Sequence, residues 1–183
     1  MKGLARKLSN CLTRFSKEQR GLAAIEFAML LPMMITLYVG SVELSTGTAI
    51  HRKVTIAAHT IADLSSQFTT IADSDMTNIL NAATDIIYPY PSANLQAVVS
   101  ELSINAQGQA TVVWSDTLNG TARLVGSTVT IPSNLAVPNT YLLLGETAYN
   151  YTPSYGYAVT GTLTLSDQIY MQPRQSNSVT RND

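Results

Sequence analysis

The most distinctive pattern along the chain is an apolar run from Gly21 to Val42, interrupted by one charge, Glu26, and one proline, Pro32. The run is about 22 residues long, and at a rise of 1.5 Å per residue it is long enough to cross a hydrocarbon core of ~30 Å. It therefore predicts a transmembrane helix over residues 22–43.

A cleaved secretory signal is the alternative interpretation of this run. Its apolar stretch would be shorter, roughly 7 to 15 residues, and would be followed by a small-x-small cleavage site. Three small residues after the run imitate such a site: Ser45, Gly47 and Ala49.

Beyond the run the apolar positions keep a helical period while polarity rises, which predicts that the helix continues without a break over residues 44–71. A helix from about Leu22 to Phe68 would be roughly 70 Å long. Its outer half needs a sheet to cover its apolar face. Pro32 predicts a kink, with local melting during assembly as an alternative, because a proline removes one helical hydrogen bond. The apolar face comprises Ile50, Val54, Ala57 or Ala58, Ile61, Leu64 and Phe68.

The second half of the chain predicts a short helix and then strands. Cap-type residues at Asp73–Asp75 begin the helix, and Tyr88-Pro89-Tyr90-Pro91 ends it. Alternation then predicts two strand pairs, one of them a hairpin through residues 105–109 and the other joined across residues 153–156. The predicted strands are Leu95–Ile104, Ala110–Trp114, Thr140–Tyr151 and Gly161–Tyr170.

These elements predict an α+β fold, in which a long N-terminal transmembrane helix packs on a small antiparallel β-sheet domain spanning residues 72–171. Residues 119–139 contain several turn residues and no clear order. Residues 172–183 predict a polar, solvated tail. Tyrosines are frequent in the strands and indicate either half-buried packing, which we favour, or a partner surface: Tyr141, Tyr149, Tyr151, Tyr155, Tyr157 and Tyr170.

Charge is distributed unevenly along the chain. Residues 1–21 hold six of the eleven lysines and arginines against one acid, Glu18, although the formal net charge is only -1. Because basic residues collect on the cytoplasmic side of a membrane span, the N-terminus is expected in the cytoplasm and the domain on the other side. The basic charge belongs to a leader rather than to a nucleic-acid footprint, since no basic patch with interleaved aromatic residues appears in the rest of the chain.

The sequence predicts no catalytic site, no metal site and no cofactor. Cys11, the only cysteine, lies in the leader, so the domain can form no internal disulfide. His51 and His59 are two helical turns apart, too far to share a small ion. Neither histidine stands in a nucleophile motif, and no glycine-rich phosphate loop is present. A membrane-tethered hydrolase is the weakest of the functions considered.

Glu26 is the most informative residue of the span, since an ionisable group within a membrane costs several kcal/mol unless it is neutralised or paired. It could snorkel to the cytoplasmic interface. However, it is also the fifth residue after Gly21, which ends a basic stretch, and Phe27 follows it directly. A basic stretch ending in glycine, then an apolar run with glutamate at its fifth position, resembles a type IV prepilin.

In detail, the segment from Arg20 to Pro32, RGLAAIEFAMLLP, is similar to the TadE-like family, the TadE/TadG-like minor pseudopilins of the Tad (Flp, type IVb) pilus system. The resemblance implies cleavage between Gly21 and Leu22 by a prepilin peptidase. It also implies that Glu26 and Phe27 set the register between subunits, with Glu26 offsetting the ammonium of Leu22 on a neighbour.

The same resemblance implies a single-pass protein of the inner membrane with its domain in the periplasm. Its expected partners are other pilins and pseudopilins, the inner-membrane pilus platform and the lipid bilayer, and its expected role is pilus biogenesis and surface attachment. The alternative is an uncleaved single-pass scaffold whose periplasmic domain binds partners in a secretion or pilus machine.

Overall fold

The computed structural model describes residues 19–155 and 161–182, and it divides the chain into two compact units at Leu44 and Ser45. Residues 1–18, which contain Cys11 and most of the basic leader, lie outside the described residues, as do Tyr157 and Gly156. The described part of the first unit is helical throughout, residues 19–44 being the beginning of helix α1, Gln19–Ser66. This confirms the long, uninterrupted helix that the apolar periodicity predicts, although the helix ends at Ser66 rather than at residue 71, and residues 70–71 form a strand.

The described part of the second unit contains the rest of α1, a further helix, a short 3-10 turn at Ser92–Asn94 and seven strands. The elements in chain order are β1 (Thr70–Ile71), α2 (Asp73–Ile87), β2 (Leu95–Ile104), β3 (Ala110–Leu118), β4 (Thr128–Val129), β5 (Thr140–Tyr151), β6 (Leu163–Met171) and β7 (Thr180–Arg181).

Five of the strands form an antiparallel sheet in the order β4-β3-β2-β5-β6, which confirms the predicted strand pairs and the α+β class. The register of β2 on β5 is unbroken from Leu95 opposite Tyr149 to Ile104 opposite Thr140. A bulge beside Glu101 shifts the register of β2 on β3. The remaining strands, β1 and β7, pair in parallel as a separate two-stranded sheet.

One face of the sheet carries α2 and the part of α1 that begins at Ser45. Most apolar positions that the sequence assigns to the inner face of α1 are buried, as are Met76, Ile79 and Ala83 on α2. Leu64 is half-buried against the same core, and Phe68, also half-buried, lies beyond the end of α1. The helix approaches β5 closely at Gly145, where an added Cβ would lie 2.7 Å from the carbonyl oxygen of Ala58.

The other face of the sheet has a smaller apolar core at the end occupied by Leu102, Ile104 and Leu142. It is covered by residues 119–139, for which the sequence predicts no order. Val129 of β4 is buried there, and Ile131 and Leu135 pack against the cluster. A loop with one two-residue strand therefore covers this end of the sheet.

The predicted packing role of the tyrosines holds for most of those described. Tyr149 is buried, and Tyr141, Tyr151 and Tyr170 are half-buried within strands. Tyr155, in contrast, is exposed in the turn after β5.

The C-terminal strap, which we define as residues 172–182, corrects the expectation of a solvated tail. Its Val179 is fully buried, and β7 pairs with β1. The N–H of Arg174 donates to the carbonyl of Ser66 at the end of α1, 2.9 Å away. The composition of the strap is polar, but its backbone and arginines find partners on the domain, which keep it folded against the protein.

Candidate functional site: the exposed part of helix α1

All residues that the sequence singles out for processing and assembly lie on α1 between Gly21 and Pro32. Every residue from Gly21 to Tyr38 is exposed, including large apolar side chains such as Met29, which is 75% exposed. A helix that is apolar all round needs an apolar environment, which is either a protein interior or a membrane. No part of the described chain supplies that environment for residues 21–38.

Among the described residues, one helix is long and apolar enough to cross a membrane, judged by length and composition, and it is Gly21–Ser66. Its most apolar window has none of its surface buried by the chain, and it lies near the N-terminus. The transmembrane helix predicted over residues 22–43 falls in this segment. The structure thus fits a protein that crosses a membrane once.

Gly21 and Leu22, the predicted cleavage pair, lie in the first turn of the described helix. A Cβ added at Gly21 would meet no atom within 4 Å. Packing within this chain therefore does not require a glycine there. The same is true of Gly40, the other glycine in the exposed part of the helix.

Glu26 and Phe27 project from the next turn of the helix, and both are exposed. Leu22 and Glu26 are four residues apart, so they lie on one face of α1. Within the described part of the chain the Glu26 carboxylate has neither a salt-bridge partner nor a hydrogen-bond donor.

Pro32 lies inside α1, and the helix continues through it. A proline has no N–H to donate to the carbonyl four residues earlier, here that of Ala28. One turn later the hydroxyl of Thr36 donates to the carbonyl of Pro32 at 2.8 Å, which satisfies a polar side chain in an apolar segment. The kink at Pro32 stays a prediction.

The histidines lie on the domain part of α1 and are exposed. His51 and His59 flank Thr55, whose hydroxyl donates to the carboxylate of Asp167 on β6 at 2.5 Å. This hydrogen bond, with smaller contributions from the two histidines, lowers the pKa of Asp167 below its ordinary value. Within residues 19–155 and 161–182, no group of three metal-ligating side chains is brought together.

The uncovered end of the sheet's outer face carries an ion pair. The Arg123 guanidinium donates two hydrogen bonds to the Glu146 carboxylate, from Nε at 2.6 Å and from Nη2 at 2.7 Å. This contact raises the pKa of Arg123. Uncharged polar side chains, among them Gln96 and Gln168, line the shallow depression around it. This pair is not predicted from the sequence, because residues 23 apart in the chain meet only through the sheet.

A second feature missed from the sequence is the buried carboxyl of Glu101. Only 1% of this residue is exposed, and its Oε1 accepts the N–H of Val179 at 2.5 Å. Burial raises the pKa of Glu101, against the lowering effect of the hydrogen bonds from Val179 and Trp114. Glu101 follows Leu95, Ala97 and Val99 on the buried face of its strand, and a charged residue at such an apolar position is the signal that could have identified it.

Comparison with known proteins gives a match for α1. Residues 21–63 match the family model described as TadE-like protein. No curated protein matches the chain. No solved structure matches it either. The match begins at Gly21, the first residue of the predicted cleavage pair. Residues 21–63 are thus a TadE-like segment, which confirms the family resemblance of the sequence from Arg20 to Pro32.

Proposed function

We propose that this chain is a minor pseudopilin of a Tad-type pilus, which supports pilus biogenesis and surface attachment. A prepilin peptidase cuts it between Gly21 and Leu22 on the cytoplasmic side of the inner membrane. Residues 22–43 then hold it in the membrane, and its domain lies in the periplasm.

The observation that carries the proposal is the exposed apolar helix, near whose start the Glu26 carboxylate has no partner among the described residues. Other pilins and pseudopilins supply the missing partner, since the ammonium of Leu22 on a neighbour offsets Glu26. An ion pair in an apolar bundle is sensitive to position, so it fixes the axial register between subunits. The exposure of Phe27 and of the apolar residues around it provides the surface for the same contact.

The glycine before the cut supports the same proposal. A Cβ added at Gly21 would meet no atom of the described chain within 4 Å, so a requirement for glycine there would come from the peptidase, which must approach the backbone closely. We therefore expect Gly21→Ala to be cut partly and Gly21→Leu to remain uncut. Mass spectrometry of the protein from its own host reports the N-terminus, Leu22 for the cut form and Met1 for the uncut form. Normal cutting of Gly21→Leu would show that the site is wrong.

Glu26→Gln tests the register between subunits, because it keeps the shape of the side chain and removes its charge. Removal of one member of a buried ion pair costs about 3–5 kcal/mol, so contacts between subunits should be strongly weakened. We expect a protein that is still inserted and still cut, yet no longer crosslinks to pilus subunits in membranes and no longer supports attachment. Full crosslinking by the variant would favour a carboxylate that snorkels to the interface.

The rival function is an uncleaved scaffold, which uses the same membrane helix but never enters a filament. A wild-type protein that retains Met1 in its host would favour this scaffold. In that case Gly21→Leu would have no effect on attachment, whereas the pseudopilin loses its function with its processing.

A further inference from the structure

We propose that one end of the domain binds the surface of the membrane that α1 crosses, with exposed tyrosines in the layer of lipid head groups. This end is called the tyrosine end and is defined by residues 88–95, 117–121, 149–155 and 161–165. The contact requires the membrane span of α1, as the proposed function does, but it requires neither leader cleavage nor a register between subunits.

The direction of β5 places the tyrosine end beside the start of the domain part of α1. The hydroxyl of Thr147 donates to the carbonyl of Val54 at 2.8 Å. Four residues further along β5, the ring of Tyr151 would lie 3.7 Å from a Cβ built at Gly47. Strand β5 thus runs antiparallel to α1, and its last residue lies beside Gly47.

Chain length brings this end close to the membrane. Gly47 is five residues after Val42, the last residue of the apolar run, which corresponds to ~8 Å along a helix. The head-group layer on each side of the hydrocarbon core is roughly 5–8 Å thick. The β5–β6 hairpin extends past Tyr151, since the hydroxyls of Thr152 and Thr162 lie 3.1 Å apart. The tyrosine end is therefore within reach of the head groups.

Two further segments meet the end of β5 here. Leu95, the first residue of β2, lies opposite Tyr149 of β5. The side-chain amide of Asn119, just after β3, donates to the carbonyls of Ser92 and Leu95 at 3.2 and 3.1 Å. The hairpin, the segment before β2 and the segment after β3 thus form one surface.

This surface carries no charged residue. The sequence is free of charge from one charged residue to the next in three stretches, which are Asp85 to Glu101, Asp116 to Arg123, and Glu146 to Asp167. The charges beside it belong to α1, where Lys53 donates to the carbonyls of Ile86 and Tyr88. Basic residues are usual where a helix leaves a membrane. An end without carboxylates approaches the head groups without the cost of dehydrating a charge.

Exposed tyrosines supply the attraction. Tyr88 and Tyr155 are each 76% exposed and lie in turns, so strand packing does not account for them. Tyrosine is enriched at the membrane–water interface, because its ring favours the apolar side and its hydroxyl favours the polar side. The bilayer is the partner that the span itself brings next to this end of the domain.

Fluorescent labels measure how close this end lies to the lipid. Full-length Cys11→Ser chains receive one new cysteine each, at the exposed positions Ala93 or Ser154, so that the tyrosines stay in place. Each nanodisc holds a single chain in phosphatidylethanolamine and phosphatidylglycerol, with a nitroxide on some of the lipid head groups. We expect the nitroxide to quench both labels. A single chain per disc excludes a neighbouring copy as the partner.

Val125→Cys is the matched control. Val125 is 71% exposed, and the N–H of the next residue donates to the carbonyl of Val112. Val112 belongs to the row of the sheet that contains Leu142, about 30 Å along β5 from Tyr151. We therefore expect the label at this position to remain unquenched.

Charged variants test the tyrosines themselves. Tyr88→Glu combined with Tyr155→Glu should abolish quenching of the label at Ser154, because both carboxylates would lose hydration at the head groups. Leu124→Glu, at a residue that is 79% exposed beside the control position, should leave the quenching unchanged. Circular dichroism should be the same for these chains, since the substituted side chains are exposed.

The contact is overturned if the labels at Ala93 and Ser154 stay unquenched in chains that are inserted in the nanodiscs. That result would leave the membrane span and the proposed function intact. Equal quenching at Val125 would also overturn it, because the lipid contact would then not belong to the tyrosine end. Quenching that the two glutamates leave unchanged would show that the tyrosines do not hold the domain on the membrane.

Discussion

Gly145 of β5 is the position at which the packing of α1 on the sheet is most sensitive to a small change. Its hydrogen faces the helix, and a Cβ built there would lie 2.7 Å from the carbonyl oxygen of Ala58 and 2.9 Å from the Cβ of Ala62. The nearest atom belongs to the helix backbone and cannot rotate away. The substitution Gly145→Ala therefore requires α1 and β5 to move apart.

The size of the effect follows from this geometry. Non-bonded heavy atoms prefer separations of roughly 3.5–4.0 Å, so the gap would have to widen by several tenths of an ångström along a fully buried seam. Overpacking of this kind typically costs about 1–3 kcal/mol. For a domain of this size, each kcal/mol lowers the melting temperature by roughly 3–5 °C, which gives an expected loss of about 3–15 °C.

Thermal and urea unfolding of the full-length protein in detergent, followed by circular dichroism, measures this loss. Gly40→Ala is the matched control, because an added Cβ meets nothing within 4 Å and alanine favours the helix. If Gly145→Ala lowered the free energy of unfolding by less than about 0.5 kcal/mol, no more than Gly40→Ala does, the close contact between α1 and β5 would be refuted.

Three further predictions concern groups that the domain places in unusual surroundings. Glu101 has a pKa raised by burial, so the folded state binds its proton more tightly than the unfolded state, and the free energy of unfolding should rise as pH falls from above the folded-state pKa toward 4.5. Glu101→Gln should abolish that part of the pH dependence in urea titrations, and equal slopes for both proteins would contradict it. Lys53 donates to the carbonyls of Ile86 and Tyr88 at the end of α2, so Lys53→Met should lower local stability there by about 0.3–1 kcal/mol, seen as faster hydrogen exchange in the last turn of α2. Thr55→Val removes the donor that lowers the pKa of Asp167, so NMR titration of this carboxyl should give a higher value than in the wild type.

The helices and the main strands could be predicted because local periodicity determines them. One face of α1 repeats at spacings of three and four from Ile50 onward, and the strands alternate between two faces. An isolated glycine within a strand, such as Gly145, indicates close approach of another backbone. The sequence does not show which element approaches, so the contact with α1 could not be predicted.

The strap and the loop over the outer face of the sheet could not be predicted from local pattern. Val179 is the only large apolar residue among residues 172–182, apart from the ring of Pro173, and its burial depends on Trp114 and Glu101 far away in sequence. Likewise, β4 has two residues, too few to show alternation. In both cases the order comes from contacts with strands already in place.

The two parts of α1 carry apolar residues for different reasons, and this difference bears on how the exposed part works. From Ile50 to Ile61 one face is buried by the protein's own sheet, so substitutions there should affect the stability of the domain. From Gly21 to Val42 the chain buries almost nothing of the helix, so its apolar side chains there are available to lipid and to neighbouring chains. A lipid environment alone would select against Glu26, which costs free energy in a bilayer and finds no partner in the described part of the chain. In the proposed pseudopilin a neighbouring subunit pairs with Glu26, which would turn this cost into a condition for assembly. Variants in the exposed part that change association while the unfolding of the domain stays constant would support this division of roles.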